Sequence, residues 1–155
     1  MRVGVLSDTH GLLRPEALAA LRGVDHILHA GDVGDPAILD HLRALAPLTA
    51  IRGNIDRSGP CALLPATEAV ELAGHLAYLV HSLADLDLNP EAAGISTVLS
   101  GHSHKPAIET RRNVLFLNPG SAGPRRFSLP VTVAMLFLEL HTPARAEILP
   151  LALQP

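Results

Sequence analysis

Seven polar side chains in the sequence each follow a short apolar run of the kind that forms buried strands. They are Asp8, His10, Asp32, Asn54, His81, His102 and His104. Parallel strands present ligand-binding residues at their carboxyl ends, so these side chains are expected to converge. Oxygen and imidazole donors without a thiolate suit divalent ions such as Mn, Fe, Co, Ni or Zn. One ion does not need seven ligands, so the set predicts a pair of ions.

The local spacing of Asp8 and His10 predicts that their side chains lie close together. Residues two apart on an extended chain point to the same side, so Asp8 and His10 are expected to reach one point. Glycines stand beside the polar positions, as in Gly31-Asp32 and Gly101-His102, where they allow sharp turns. Taken singly, each residue also has a structural interpretation, because Asp and Asn are common in turns. Their common position at strand ends favours the metal site.

The remaining histidines lack this context, and we expect them to be surface or partly buried structural residues. They are His26, His29, His41, His75 and His141. Asp56 is either a simple turn residue or one that orients a ligand. Arg125 and Arg126 could bind a substrate phosphate, or could be solvated surface charges.

Strand and helix signals alternate in the first third of the chain, which predicts parallel strands with helical crossovers. Strands are predicted at residues 3–6, 25–30 and 48–52, with helices at 15–21 and 37–45. Residues 57–65 are expected to form an exposed loop, and residues 83–93 a short surface helix or loop. Further strands are predicted at 68–73 with 75–81, 96–100, 107–110 with 114–117, and 131–140 with 145–151. Two packed sheets flanked by helices would accommodate this pattern.

Composition limits the classes of function. The 155 residues are 48% hydrophobic and 17% charged, which predicts one folded domain over residues 1–155 rather than disorder. A net charge of -3 and few aromatic residues give no basis for binding long nucleic acids. The single cysteine, Cys61, excludes an internal disulfide. No leader is recognised and residues 129–138 are too short to span a bilayer, so we expect a cytoplasmic protein without a membrane partner.

Taken in order, the polar blocks resemble the calcineurin-like metallophosphoesterase superfamily. The blocks are Asp8-Thr9-His10, Gly31-Asp32, Gly53-Asn54-x-Asp56, His81 and Gly101-His102-Ser103-His104. With Asn118-Pro119-Gly120-Ser121 and Pro124-Arg125, the chain is most similar to the small single-domain bacterial and archaeal phosphodiesterases. The resemblance implies an α/β fold, a four-layer α/β/β/α sandwich of two mixed sheets flanked by helices.

The resemblance also implies how the ligands divide between the two ions. Asp8, His10 and His104 would hold one ion, and Asn54, His81 and His102 the other. Asp32 would bridge both, and Asp32 and Asn54 would act in catalysis. A hydroxide bridging the ions would attack the phosphorus of a small phosphodiester. Manganese is the expected metal, with Ni, Fe, Co, Zn and Mg as alternatives.

Two positions depart from the pattern of the wider family. Many members carry histidine after the asparagine, where this chain has Ile55, which cannot transfer a proton. Ser82 and Leu83 follow His81, where glycine is common. Because general acid catalysis is worth about 10²–10⁴-fold, we expect aryl diesters to be cleaved better than alkyl diesters.

Alternative functions stay open at this point. A non-catalytic scaffold on the same fold, of the retromer-subunit type, is one alternative, although this chain retains the full ligand set. A phosphomonoesterase is another, which Ile55 mildly disfavours. The final hairpin, residues 131–140 and 145–151, could form the subunit interface of a homo-oligomer or could be core.

Overall fold

The computed structural model describes residues 1–153 and contains two five-stranded sheets with two short α-helices. In the first part of the chain, strands and helices alternate: β1 (Arg2–Leu6), α1 (Pro15–Ala20), β2 (His26–His29), α2 (Pro36–Arg43) and β3 (Leu48–Ala50). The other strands are β4 (Thr67–Leu72), β5 (His75–Val80), β6 (Thr97–Leu99), β7 (Ala107–Arg111), β8 (Val114–Asn118), β9 (Thr132–Phe137) and β10 (Arg145–Pro150). Single 3-10 turns cover Pro60–Leu63 and Leu83–Asp85.

Both sheets are mixed. The first has the order β10-β9-β1-β2-β3, with β1, β2 and β3 parallel and β9 antiparallel to β1. The second has the order β4-β5-β6-β8-β7, with a parallel centre and an antiparallel strand at each edge. The carboxyl ends of the parallel strands therefore gather along one end of the two sheets.

The core lies in layers above, between and below the sheets. Apolar residues of both sheets, such as Val5, Leu79 and Leu136, pack together between them. The helices cover the outer face of the first sheet, and Leu21 of the turn after α1 and Leu42 of α2 are fully buried there. The second sheet is covered from outside by residues 86–95. The predicted architecture of two mixed sheets with flanking helices is confirmed, and within residues 1–153 both α-helices lie on the first sheet.

Two segments differ in detail from the sequence expectation. The predicted exposed loop at residues 57–65 includes a 3-10 turn whose Cys61 is 3% exposed and packs against the first core cluster. In the final hairpin, β9 lies between β1 and β10 and is almost wholly buried, so it is core. Within residues 1–153, no helix is long and apolar enough to cross a membrane. The predicted domain over residues 1–155 ends with Gln154 and Pro155, which lie outside the described residues.

His29 and His75 are both buried, which corrects the interpretation of the remaining histidines as surface or partly buried residues. The more deeply buried of the two is His29. It is fully buried at the end of β2, where the Gly31 N–H donates to Nδ1 at 3.2 Å. Nε2 therefore carries the proton and contacts Thr9 Oγ1 at 3.0 Å, and Thr9 in turn donates to the Val33 carbonyl at 2.9 Å. This chain of hydrogen bonds joins the segment after β1 to the segment after β2.

The burial of His29 predicts an acid-sensitive fold. Burial lowers the pKa of His29 to about 4, against 6.5 for the ordinary side chain. As pH falls from about 7 to 4, the unfolded chain binds a proton that the folded chain does not, so the folded state loses stability. For this shift the loss approaches ~3 kcal/mol. We expect urea unfolding of the metal-free protein to show that the free energy of unfolding falls between about pH 7 and about pH 4. In the His29→Gln variant this fall should be smaller.

The comparison between wild type and variant isolates this contribution. Other titrating groups are common to both proteins, and they can raise or lower the free energy of unfolding as the pH falls. Their contributions cancel when the pH dependence of the variant is subtracted from that of the wild type. His41→Gln, on the exposed face of α2, serves as the matched control and should follow the wild type. Parallel pH dependence for wild type and His29→Gln would contradict the prediction.

Candidate metal centre

Five segments that each follow a strand bring the predicted ligands to one end of the sheets. Asp8 and His10 follow β1, Asp32 follows β2 and Asn54 follows β3. From the second sheet, His81 follows β5, and His102 and His104 follow β6. Each of these strands has a parallel neighbour, as the sequence reasoning requires.

The backbone conformation at these residues differs from the sequence expectation. The expectation of an extended chain at Asp8 and His10 is wrong, because their φ angles are 56° and 45°. Asp32, His102 and His104 are also left-handed, with φ of 56°, 66° and 59°. Such conformations cost on the order of 1–3 kcal/mol each and persist where the surroundings impose them. Here the Asp8 N–H donates to the Gly31 carbonyl at 3.0 Å, and the His10 N–H donates to the Asp32 carbonyl at 2.9 Å.

Asp8, His10 and His104 form the first cluster. Asp8 Oδ1 lies 3.2 Å from His104 Nε2 and 3.7 Å from His10 Nε2. The two Nε2 atoms are themselves 3.2 Å apart. One ligand atom from each residue lies within 4.8 Å of the others, which is close enough for the three to hold one ion.

The second cluster is joined to the first by Asp32. Asp32 Oδ2 lies 3.5 Å from His10 Nε2 and 3.3 Å from His81 Nε2. Asn54 Oδ1 is 3.1 Å from His81 Nε2 and 3.0 Å from His102 Nδ1. All seven predicted residues thus meet in one site, and Asp32 stands between the two groups.

The chemistry of these atoms fits divalent cations. Asp8 is 0% exposed, and within residues 1–153 its Oδ1 has no hydrogen-bond partner. His81 Nδ1 donates to the Ala30 carbonyl at 2.7 Å, so the lone pair of a neutral Nε2 faces the Asp32 carboxylate. Facing lone pairs of this kind repel unless a proton or a cation lies between them. The residues present therefore fit a centre that binds divalent metal through oxygen and imidazole nitrogen.

The pKa values follow from burial opposed by neighbouring charges. Burial alone would raise the pKa of Asp8 and Asp32. The surrounding imidazoles, together with hydrogen bonds from Ser7 to Asp8 and from the Ile55 N–H to Asp32, outweigh burial, and both pKa values lie below the ordinary value. Burial alone would lower the pKa of His81, but Asp32 and the Ala30 carbonyl raise it. Burial does lower the pKa of His104, with Arg126 adding to the effect. The site thus keeps both carboxylates ionised.

Asp56 has a positioning role that the sequence left open. Its buried carboxylate accepts hydrogen bonds from the N–H groups of Val33 (3.0 Å), Gly34 (2.9 Å) and Gly53 (2.9 Å). It therefore ties the segment that carries Asp32 to the segment that carries Asn54. It is not a simple turn residue.

Asn118 and Ser121 hold the other side of the site, a role that sequence reasoning missed. Asn118 Nδ2 donates to the Gly101 carbonyl at 2.8 Å and to Ser103 Oγ at 3.1 Å. Ser121 Oγ donates to the Asp8 carbonyl at 3.0 Å. Their presence in an Asn-Pro-Gly-Ser block was visible in the sequence, but only the fold shows what they contact.

Ile55, one of the positions that depart from the family pattern, also lies at the site. Ile55 is 41% exposed, and its backbone N–H donates to Asp32 Oδ1 at 3.0 Å. Its side chain offers no proton, but its backbone orients the carboxylate.

Arg125 and Arg126 are both exposed, and a role for them in phosphate binding stays a prediction.

Comparison with known proteins places the chain in a family. Residues 1–141 match the calcineurin-like phosphoesterase superfamily domain, and the chain belongs to this family. It is 34% identical to a probable metallophosphoesterase of Methanocaldococcus jannaschii over 164 residues, which cover 97% of this chain and 82% of that protein. The family typically binds divalent metals, in agreement with the residues of this site.

Solved structures share the fold at lower identity. An archaeal phosphodiesterase superposes with a TM-score of 0.78 at 23% identity, covering 96% of this chain and all of that one (100%). Vps29 of Entamoeba histolytica, solved with Zn²⁺, superposes with a TM-score of 0.75 at 19% identity, covering 97% of this chain and 99% of that one. The fold is thus shared by an enzyme and by Vps29.

Gly101 offers a test of how tightly the site is built. A Cβ at this position would collide with Ser7 Oγ and lie 2.5 Å from Asp8 Oδ2. We expect Gly101→Ala to displace Asp8 and to weaken Mn²⁺ binding about 10- to 100-fold, the range seen when the supports of a ligand are lost. Isothermal titration calorimetry measures the affinity.

The control for this variant is Gly94→Ala. A Cβ at Gly94 meets nothing within 4 Å, although its φ of 72° makes the substitution mildly strained. Gly94→Ala should lose some thermal stability and keep its metal affinity. Unchanged Mn²⁺ affinity in a folded Gly101→Ala protein would show that Asp8 does not need this close packing.

Proposed function

We propose that this chain is a metal-dependent phosphodiesterase that hydrolyses small phosphate diesters with two divalent ions. Asp8, His10 and His104 would hold one ion, and Asn54, His81 and His102 would hold the other. Asp32 would contribute to both. The observation that carries the proposal is the buried Asp8 carboxylate, whose Oδ1 is faced by Nε2 atoms of His104, His10 and His81 at 3.2, 3.7 and 3.9 Å.

The residues of the chain prepare this centre for hydrolysis. When bound, two such ions would lower the pKa of a shared water toward neutrality and offset negative charge on the phosphoryl oxygens. The hydrogen bonds of Asp56, Asn118 and Ser121 fix the segments that carry the predicted ligands before substrate binds. The free energy of ordering these segments is therefore not lost during substrate binding. No side chain of the chain is needed as a nucleophile.

The charge of the site favours diesters. Two divalent ions, the carboxylates of Asp8 and Asp32, and one hydroxide leave a net charge of about +1. This charge matches a phosphodiester monoanion better than a monoester dianion. The exposed Ile55 side chain supplies no acid for a poor leaving group, so aryl diesters are the preferred test substrates.

A scaffold without catalysis is the second candidate, because the fold is also that of Vps29. A protein that uses an enzyme fold only to bind a partner does not need an intact metal centre. Here the carboxylates of Asp8 and Asp32 converge with the imidazoles of His10, His81 and His104, and both aspartates are buried. That convergence is the reason to prefer an enzyme.

The proposal is tested by metal-dependent hydrolysis. The protein is stripped with a chelator and reloaded separately with Mn, Ni, Zn or Mg, and Mn is expected to restore the highest activity. We expect reloaded protein to hydrolyse bis-p-nitrophenyl phosphate with a higher kcat/KM than p-nitrophenyl phosphate. The released p-nitrophenolate is measured by absorbance.

The outcomes of this assay separate the candidates. A preference for the monoester would favour a phosphomonoesterase. No metal-dependent turnover of either compound, in protein shown to be folded, would reject hydrolysis and favour the scaffold. Protein kept in chelator is the control for background hydrolysis.

The bridging position of Asp32 gives a second prediction. Asp32→Asn weakens both clusters, whereas Asn54→Ala touches only one, so Asp32→Asn should lower kcat/KM further. For Asn54→Ala we expect a loss of about tenfold or more. The assay is metal-saturated hydrolysis of bis-p-nitrophenyl phosphate, with thermal unfolding to confirm that both variants fold. Equal and small losses would contradict the proposed ligand assignment.

A further inference from the structure

A cleft of about 540 Å³ opens beside one half of the metal centre. Three of the proposed ligands, Asn54, His81 and His102, form part of its wall, and Asp8, His10 and His104 do not line it. The volume is within the range of small-molecule sites, which is about 300–1,000 Å³. A phosphate bound at the centre would therefore have room for an attached group on this side.

Two charged residues of opposite sign line the cleft. One is Arg52, which follows β3, and the other is Asp85, which ends the 3-10 turn after β5. The Arg52 guanidinium donates to the Ala62 carbonyl at 3.2 Å, and the Arg52 N–H donates to the Pro65 carbonyl at 2.9 Å. These bonds hold Arg52 at the cleft, and because the side-chain partner is a neutral carbonyl, the positive charge is not neutralised by it.

The rest of the lining is small or hydroxyl-bearing. Thr67 and Ser82 bring side-chain hydroxyls, while Ala66 and Val80 bring apolar surface. A guanidinium only donates hydrogen bonds and a carboxylate only accepts them. A ligand with several hydroxyl groups can satisfy both, because each hydroxyl donates and accepts. An aryl or simple alkyl group can satisfy neither.

We propose that this cleft binds the retained alcohol of the diester and that this alcohol is a polyol, such as a sugar or glycerol. Hydroxyl groups of the polyol accept from Arg52 and donate to Asp85. Carboxylates recognise ribose hydroxyls in the same way in dinucleotide-binding proteins. The proposal rests on the proposed phosphodiesterase function and names the substrate class for the same site.

The assignment to the retained alcohol follows from Ile55. Without a general acid beside Asn54, an alkoxide is a poor leaving group. In hydrolysis, the oxygen of water forms the new bond to phosphorus and one proton of water passes to solvent. The bond between phosphorus and the oxygen of the more acidic alcohol breaks, and this alcohol departs into solvent as its anion. The polyol therefore remains on the phosphate in the product.

The test uses three diesters that share one leaving group. They are the p-nitrophenyl esters of uridine 5′-phosphate, glycerol 1-phosphate and methyl phosphate. Because p-nitrophenolate leaves in each case, only the retained alcohol differs. We expect one or both polyol esters to have a kcat/KM about tenfold or more above that of the methyl ester, through KM, as for a hydrogen bond to a charged group. The better polyol ester distinguishes a nucleoside from glycerol as the source.

Variants locate the effect in the cleft. Asp85→Ala and Arg52→Gln should each reduce the ratio of kcat/KM for the polyol ester to kcat/KM for the methyl ester to about twofold or less. The matched control is Asp87→Ala, two residues along the same exposed segment and outside the cleft lining. Thermal unfolding of each variant shows whether loss of the Arg52 bond to Ala62 acts through folding instead.

Binding of products keeps the test independent of turnover. Calorimetry with metal-loaded protein compares uridine 5′-monophosphate, glycerol 1-phosphate and methyl phosphate. Tighter binding of a polyol phosphate that depends on Asp85, without hydrolysis of any ester, would support the cleft assignment and reject the phosphodiesterase. Equal kcat/KM and equal affinity across the series, or an advantage that survives Asp85→Ala, would overturn the cleft assignment.

Discussion

The structure depends on a carboxylate that is removed from water and held among imidazoles. Asp8 is wholly buried, and its Oδ1 lacks a hydrogen-bond partner within the described residues. An ionised carboxylate in such a place is costly unless opposite charge compensates it. The imidazoles that would share a proton or a cation with it come from both sheets, so the two sheets must pack in one relative position for this compensation to exist. The core between the sheets and the polar centre at their ends are thus parts of one arrangement.

Backbone strain at the centre is balanced by hydrogen bonds around it. Several ligand residues adopt left-handed conformations that non-glycine residues rarely take. Buried side chains that do not contact the centre directly hold these turns: Asp56 joins two of the segments, Asn118 and Ser121 hold two others, and His29 acts through Thr9. The rigidity that a metal centre would need is therefore distributed over residues outside the predicted ligand set.

The sequence predicted the convergence of the seven residues because position at the end of a parallel strand is a local property. Asp32 and Asn54 needed only the apolar runs before them to be placed correctly. The left-handed turns could not be predicted, because they are imposed by contacts between segments, such as the Asp8 N–H with the Gly31 carbonyl. The burial of His29 was missed for the same reason, since it depends on Thr9, which is distant in the chain. The cleft beside His102 lies between the segments that follow β3 and β5, which meet only in the folded chain, where Asn54 contacts His81.

Anomalous diffraction from crystals soaked in Mn²⁺ tests most directly whether these side chains bind a pair of cations. We expect two manganese peaks, one bound by Asp8, His10 and His104 and the other by Asn54, His81 and His102. Asp32 should contact both peaks. A single peak, or peaks bound by other residues, would contradict this assignment.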